Sequence, residues 1–334
     1  MAASWGWALS SAYAEGRVWV ARALDETEHL ETVERARAFF WLAEFAGWQG
    51  DFRSAEAFNE RARAVFEQHQ DEIGVFRSLL GLTQFEVSLG DLQRARAVLK
   101  EARTLANRLE NDHERALLCF KAAQVEGLSG EYEQAQAVLE EGLQLCRTLD
   151  VPRRQWVNQL INVGWFALQQ HDFARARAAL EEYLAEDSGK TPSGIASAHE
   201  SLGLVALYSG NPEDAALQFR RALALSRAAG TKPTIAAATY GLAAVAAIDG
   251  DAERSVRLWA AADAIRQSTS SPLATTERFI VERYLKLAGA ALAGDAHPTT
   301  REAVGSMSLD EALAYVLEEL NSAPASDEHS ETSS

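Results

Sequence analysis

The chain has 334 residues, 47% hydrophobic and 24% charged, with a formal net charge of −16. That is the composition of a folded globular protein. The acidic balance excludes a broad face for nucleic-acid phosphates, no apolar run reaches the roughly 18 residues of a membrane span, and Cys119 and Cys146 are too few for a disulfide framework.

The start, MAASWGWALS, lacks the basic segment and long apolar core of a secretory signal. The chain is therefore read as cytoplasmic, with reduced thiols. Trp5 already stands late in a first helix, and Trp7 and Tyr13 follow it. An array end needs a polar cap, so this end is expected to meet an upstream domain or a second copy of the chain.

From here helical patterns alternate with one short junction. Its copies are Ser11-Ala12-Tyr13, Gly50-Asp51-Phe52, Gly90-Asp91-Leu92, Gly130-Glu131-Tyr132, His171-Asp172-Phe173, Gly210-Asn211-Pro212 and Gly250-Asp251-Ala252. Successive copies are 39, 40, 40, 41, 39 and 40 residues apart, and a fixed period in this range means a repeat array. Upstream of each junction apolar residues fall at helical spacing, as in Leu79, Leu82, Val87 and Leu89. Five residues after each junction comes a small residue: Gly16, Ala55, Ala95, Ala135, Ala176, Ala215 and Ser255. The junction glycine can end the first helix in the left-handed conformation, and the acidic or amide residue after it can cap the second. The looser turns between repeats carry Pro152, Pro192 and Pro233.

Beyond Ser268 the pattern changes. A helix is expected over about 274–292, then a break, then a last helix opened by the capping box Ser308-Leu309-Asp310-Glu311. Residues 322–334 are rich in Ser and acid, without an apolar stripe, and read as a disordered tail.

Chemical motifs are sparse. Ser188-Gly189-Lys190-Thr191 is half of a phosphate loop; Leu184 occupies the place of its first glycine, no strand precedes it, and it reads as a plain turn. The histidines form no metal-ligand spacing, and His171 stands where a turn residue is needed. Cys119 and Cys146 read as buried small hydrophobes, and Trp259 as core. No cofactor, metal or catalytic residue is expected.

The repeats resemble the tetratricopeptide repeat. The Leu-Gly of its first helix is matched by Leu202-Gly203, Val163-Gly164, Leu42-Ala43 and Leu242-Ala243, and its later bulky and small pair by Leu99/Ala102, Phe219/Ala222 and Trp259/Ala262. The likeness covers seven copies, with about six residues more per repeat than the common 34. It implies an all-α, right-handed α-solenoid of about seven helical hairpins over residues 1–268. A C-terminal helical cap over 269–321 and the acidic tail follow. From Leu242 through RLWAAADAIRQ, SPLATTER and MSLDEALAYVL the texture resembles the C-terminal repeat region of bacterial STAND and LuxR-type regulators.

In the tetratricopeptide family the first helix lines the concave face. Carrying its groove positions over gives Phe40, Glu44, Trp48, Arg77, Gln84, Phe120 and Gln124, then Asn158, Ile161, Asn162, Trp165, Gln169, Glu200, Tyr208 and Tyr240. Rings beside amides suit an extended peptide, because amides both donate and accept; packing between repeats is the competing role. The Lys and Asn pairs with which chaperone adaptors of this family hold a C-terminal carboxylate are not matched. The reading is a non-catalytic protein- or peptide-binding module of bacterial regulation; the alternative is a small-ligand sensor controlling an attached nucleotide-binding module. An enzyme ranks last, and neither nucleic acid nor membrane is an expected direct partner.

Overall fold

The computed structural model describes residues 13–27, 32–48, 51–229, 232–268, 283–284, 286–288 and 307–321. Among them there is no strand. The chain forms two compact units, Met1–Val151 and Pro152–Ser334.

In the first unit α1 (Tyr13–Glu26), α2 (Val33–Trp48), α3 (Phe52–Gln68), α4 (Glu72–Leu89), α5 (Leu92–Leu109), α6 (Asp112–Leu128) and α7 (Tyr132–Thr148) pack in sequence as antiparallel neighbours. From α2 to α7 the helices have 16–18 residues, so the extra length of each repeat is spent on helix. The second unit opens with a single 3-10 turn, Arg153–Gln155. It continues with α8 (Gln159–Gln169), α9 (Phe173–Ala185), α10 (Pro192–Tyr208), α11 (Pro212–Ala229), α12 (Lys232–Ile248), α13 (Ala252–Gln267) and the C-terminal α14 (Leu309–Asn321). This is a tetratricopeptide-like α-solenoid.

The junctions work as the spacing predicts. Gly90, Gly130, Gly210 and Gly250 have φ between 76° and 84°. Asp51, Asp91, Asp172, Asn211 and Asp251 each accept a hydrogen bond from the backbone N–H three residues on. Glu131 makes no such cap, its side chain being one methylene longer than the cap geometry favours. His171 takes φ 60° without being glycine, a conformation that costs about 1 kcal/mol in a residue with a Cβ. Its ring lies edge-on to Phe173 and Tyr208, at 5.9 and 6.3 Å.

Small residues seat the hairpins. Ala55, Ala95, Ala135, Ala176, Ala215 and Ser255 are all fully buried. Phe219 of α11 fits between Gly203 of α10 and Gly241 of α12; a Cβ at Gly203 would lie 2.6 Å from its ring, and one at Gly241 closer still. The first helix α12 is sandwiched and buried continuously from Ile235 to Ala247, whereas α2, α4 and α6 keep a half-buried polar strip. The second helices keep a solvated face, where Arg63 pairs with Glu67 and Glu101 at 2.8 and 3.0 Å.

The last helix closes the second unit. Ala312 and Val316 join the core that α11 to α13 build. Arg254 of α13 makes a two-pronged pair with Glu319, at 2.8–3.2 Å. The capping box forms: Glu311 accepts from the Ser308 N–H at 2.8 Å, and Ser308 Oγ accepts from the Glu311 N–H at 3.3 Å. Of the helix expected over 274–292, residues 283–284 and 286–288 are described, and they are helical. Trp5, Trp7, the Tyr13 side chain and the tail 322–334 lie outside the described residues.

Candidate functional site

Helical repeats of period 40 place equivalent residues of successive first helices side by side. In the first unit this aligns Glu44 on α2, Gln84 on α4 and Gln124 on α6. All three are half-buried. Lys121, one helical turn before Gln124, joins them: its Nζ donates to Gln84 Oε1 at 2.8 Å and to Gln124 Oε1 at 3.3 Å. Burial pushes the Lys121 ammonium down to about 8, against the opposing field of Glu44. Burial likewise raises the Glu44 carboxyl above its ordinary range, with Lys121 opposing. Both side chains keep some solvent access, so the row is a half-buried crease in which charge is costly.

Arg77 lies on the same face of α4. It is half exposed and pairs at 2.7 Å with Glu114, which is buried at the start of α6. Two of the three rings expected in this unit pack against neighbouring helices. Phe40 leans on the core between α1, α2 and α3, and the Phe120 ring sits over Gly142 of α7, where a Cβ would come within 2.8 Å. Trp48 ends α2, and its side chain lies outside the described residues.

In the second unit the expected residues separate. Asn158 precedes α8; it donates to Gly189 O at 2.9 Å and accepts from Tyr183 Oη at 3.2 Å. It is thus a tether for the loop between α9 and α10. Asn162 donates to Gln159 within its own turn, at 2.9 Å, and Ile161 packs on the core around Tyr183. Trp165 lies 5.4 Å from the Phe166 ring and is half-buried, as are Gln169 and Glu200; Glu200 accepts from Ser201 Oγ at 3.5 Å.

Tyr240 is not on an open face. It is 1% exposed, 4.7 Å from the Trp259 ring, with its hydroxyl on Asp263 at 2.5 Å and Arg266 at 3.2 Å. Burial raises its pKa first, and the Asp263 hydrogen bond adds to that. The family positions that assign it to the groove do not register that α12 is buried from Ile235 to Ala247.

Tyr208 keeps an accessible edge. It stacks on Phe173 with centroids 5.4 Å apart and planes 11° from parallel, and burial raises its hydroxyl to about 12. With Leu207, Pro212, Ile248, Arg283, Tyr284 and Leu287 it lines a half-open cavity of about 470 Å³.

The phosphate-loop fragment is structural. Lys190 donates to Leu184 O at 2.6 Å, and Thr191 caps α10 through Gly194 N–H at 3.0 Å. Gly189 takes φ 82°, and a Cβ there would lie 2.6 Å from Arg154 backbone atoms. Cys119, Cys146 and Trp259 are buried. Among the described residues no group of three His, Cys, Asp or Glu side chains is arranged to hold a metal ion, and no helix is long and apolar enough to cross a membrane.

Lys121 and Glu114 are what the family positions missed. Lys121 sits three residues before Gln124 and so shares its face; that spacing could have found it.

No family model matches the chain, and no curated protein is similar to it. Its likenesses are to solved structures. RapI in its apo form aligns over 78% of this chain and 71% of its own, with TM-score 0.56 and 14% identity. The Cut9–Hcn1 hetero-tetramer of the APC/C aligns over 66% of this chain and 38% of its own, with TM-score 0.55 and 18% identity. BtubC from P. vanneervenii aligns over 66% and 91%, with TM-score 0.51 and 17% identity. At these identities the likeness shows the fold: a tetratricopeptide-like helical-repeat solenoid.

Proposed function

We propose that the chain is a non-catalytic repeat scaffold that binds a protein or extended peptide along the first-helix face of its first unit. One observation carries this reading: the Glu44–Gln84–Lys121–Gln124 row, in which three successive repeats align amide, ammonium and carboxylate groups in one half-buried crease. The Glu44 carboxylate accepts no hydrogen bond from the described residues, although burial makes an unpaired charge costly. A partner's N–H groups would relieve that cost. Gln84 Nε2 donates one N–H to Ser88 Oγ at 3.4 Å and has a second; with Gln124 it can offer amide donors to backbone carbonyls. The Cut9–Hcn1 structure, a hetero-tetramer, is a repeat chain seen in an assembly.

A photo-crosslinking residue at Gln84, with an exposed control at Arg53 on α3, tests the proposal in cells. Discrete adducts from position 84 and none from position 53 are expected. Adducts from both alike, or from neither, would remove the crease as the binding face.

The cavity beside Tyr208 favours a second reading for the other unit, since about 470 Å³ suits a small ligand. A sensor of that kind accords with the STAND and LuxR-type resemblance and with a cytoplasmic regulator of signal transduction or transcription. A ligand screen read by Tyr208 and Trp259 fluorescence tests it.

A further inference from the structure

Lysine is scarce in this chain: of 32 basic residues, only Lys100, Lys121, Lys190, Lys232 and Lys286 are lysines. The pairs that tie neighbouring repeats of the first unit use arginine throughout, as in Arg63–Glu101, Arg77–Glu114, Arg94–Glu56 and Arg96–Glu126. Arginine keeps its charge, whereas lysine can give it up. In the crease a lysine is half-buried between two neighbouring first helices. Among the described residues Lys121 hydrogen-bonds two neutral amide oxygens and no carboxylate. Gly81, the equivalent residue of the preceding repeat, contributes no side chain to the row; its Cβ position would lie 3.7 Å from Glu44 Oε1.

We propose that Lys121 is a covalent modification site, an amine acylated at Nζ by small acyl thioesters. The neutral amine attacks the thioester carbonyl carbon. The C–N bond forms, the C–S bond breaks, and the thiol leaves with the amine's proton. Nothing is oxidised or reduced.

The surroundings suit this chemistry. Desolvation lowers the amine to about 8, so far more of it is free base near neutral pH than of an ordinary lysine. Glu44 on α2 is the charged group whose field opposes this. Other charges near α6 are engaged: Arg77 of α4 and Arg96 of α5 pair with α6's own Glu114 and Glu126, and Glu141 of α7 pairs with Arg115. Acylation would remove the cation, leave one N–H for two glutamine oxygens, and set a neutral group in the crease. This consequence for binding rests on the reading of the crease as the partner face; the acylation itself does not.

The test uses the full chain with S-acetyl-N-acetylcysteamine at pH 7.5. Acetylation of each lysine is quantified by peptide mass spectrometry, against the same chain unfolded in guanidinium. A lower pKa also lowers intrinsic nucleophilicity, so the gain is smaller than the free-base ratio. Lys121 is expected to react about fivefold or more faster folded than unfolded, while exposed Lys100 on α5 reacts about equally in both. Glu44→Gln, checked for fold by circular dichroism, should raise the Lys121 rate further. Should that variant not fold, the wild-type rate profile decides: half-maximal reaction near pH 8 supports the site, and near 10.5 overturns it. A folded-to-unfolded ratio no greater than that of Lys100 also overturns it. Crosslinking at Gln84 without Lys121 acylation, or the reverse, separates failure of this proposal from failure of the scaffold reading.

Discussion

Lys121→Met isolates what the crease costs the fold. A depression from 10.5 to about 8 corresponds to about 3 kcal/mol of disfavoured charge. Lys121 keeps partial solvent access, so screening reduces this to about 1–2 kcal/mol. Methionine retains the apolar stem and gives up hydrogen bonds at 2.8 and 3.3 Å. Each such bond is worth about 1 kcal/mol when buried and less where water can replace it. The variant should therefore lie between unchanged and about 1 kcal/mol more stable at pH 7. The pH dependence fixes the sign. Between about 8 and 10.5 the unfolded chain binds the Lys121 proton and the folded chain releases it. Wild-type stability therefore rises with pH across that window, and the variant's advantage vanishes by its upper end. Urea unfolding followed by far-UV circular dichroism at pH 7 and pH 10, with equal m values, measures both. A loss above about 1 kcal/mol at pH 7 would refute the reasoning, by making Lys121 a net anchor of the crease. So would an unchanged difference between the two pH values.

Other residues separate backbone from packing. Gly130 and Gly241 make a contrasting pair: Gly130→Ala has open space but φ 84°, and should cost about 1 kcal/mol. Gly241→Ala drives a methyl into the Phe219 ring and should cost about 2–3 kcal/mol; thermal unfolding compares them. Asn158→Ala removes both bonds that hold the loop after α9. It should raise amide exchange selectively over residues 186–191 and lower stability by about 1–2 kcal/mol; unchanged exchange there would deny the tether. Val18 and Trp19 are 67% and 53% exposed on α1. Changing both to Ser should leave stability within about 0.5 kcal/mol, and sedimentation should show less self-association if that end meets a second copy.

The repeat was legible because its turns are built from backbone rules. A residue with φ near 80° selects glycine, and a short oxygen-bearing side chain after it selects Asp or Asn, so Gly90-Asp91 and Gly250-Asp251 announce themselves. The same rule marked His171 as a turn residue despite its ring. The binding face is another matter, since period alone assigns a residue to the first helix and not to open solvent. Glu44, Gln84 and Gln124 share a register with Ala244, one turn after Tyr240, yet Ala244 and Tyr240 are buried while those three keep water access. What buries Tyr240 is Trp259, Asp263 and Arg266, which follow it by 19, 23 and 26 residues on the second helix of its own hairpin. The partners of Asn158 are hidden from its register for a related reason. Its amide is satisfied by Gly189 and Tyr183, 31 and 25 residues away, across a loop whose path depends on one left-handed glycine. A register repeats every 40 residues, whereas these covering contacts are particular to one hairpin or one loop. Lys121 escaped for the opposite reason: it repeats nowhere, because its equivalent one repeat earlier is Gly81. A cation held by two amides instead of a carboxylate is adverse for the fold at neutral pH, so stability does not account for its presence in the crease.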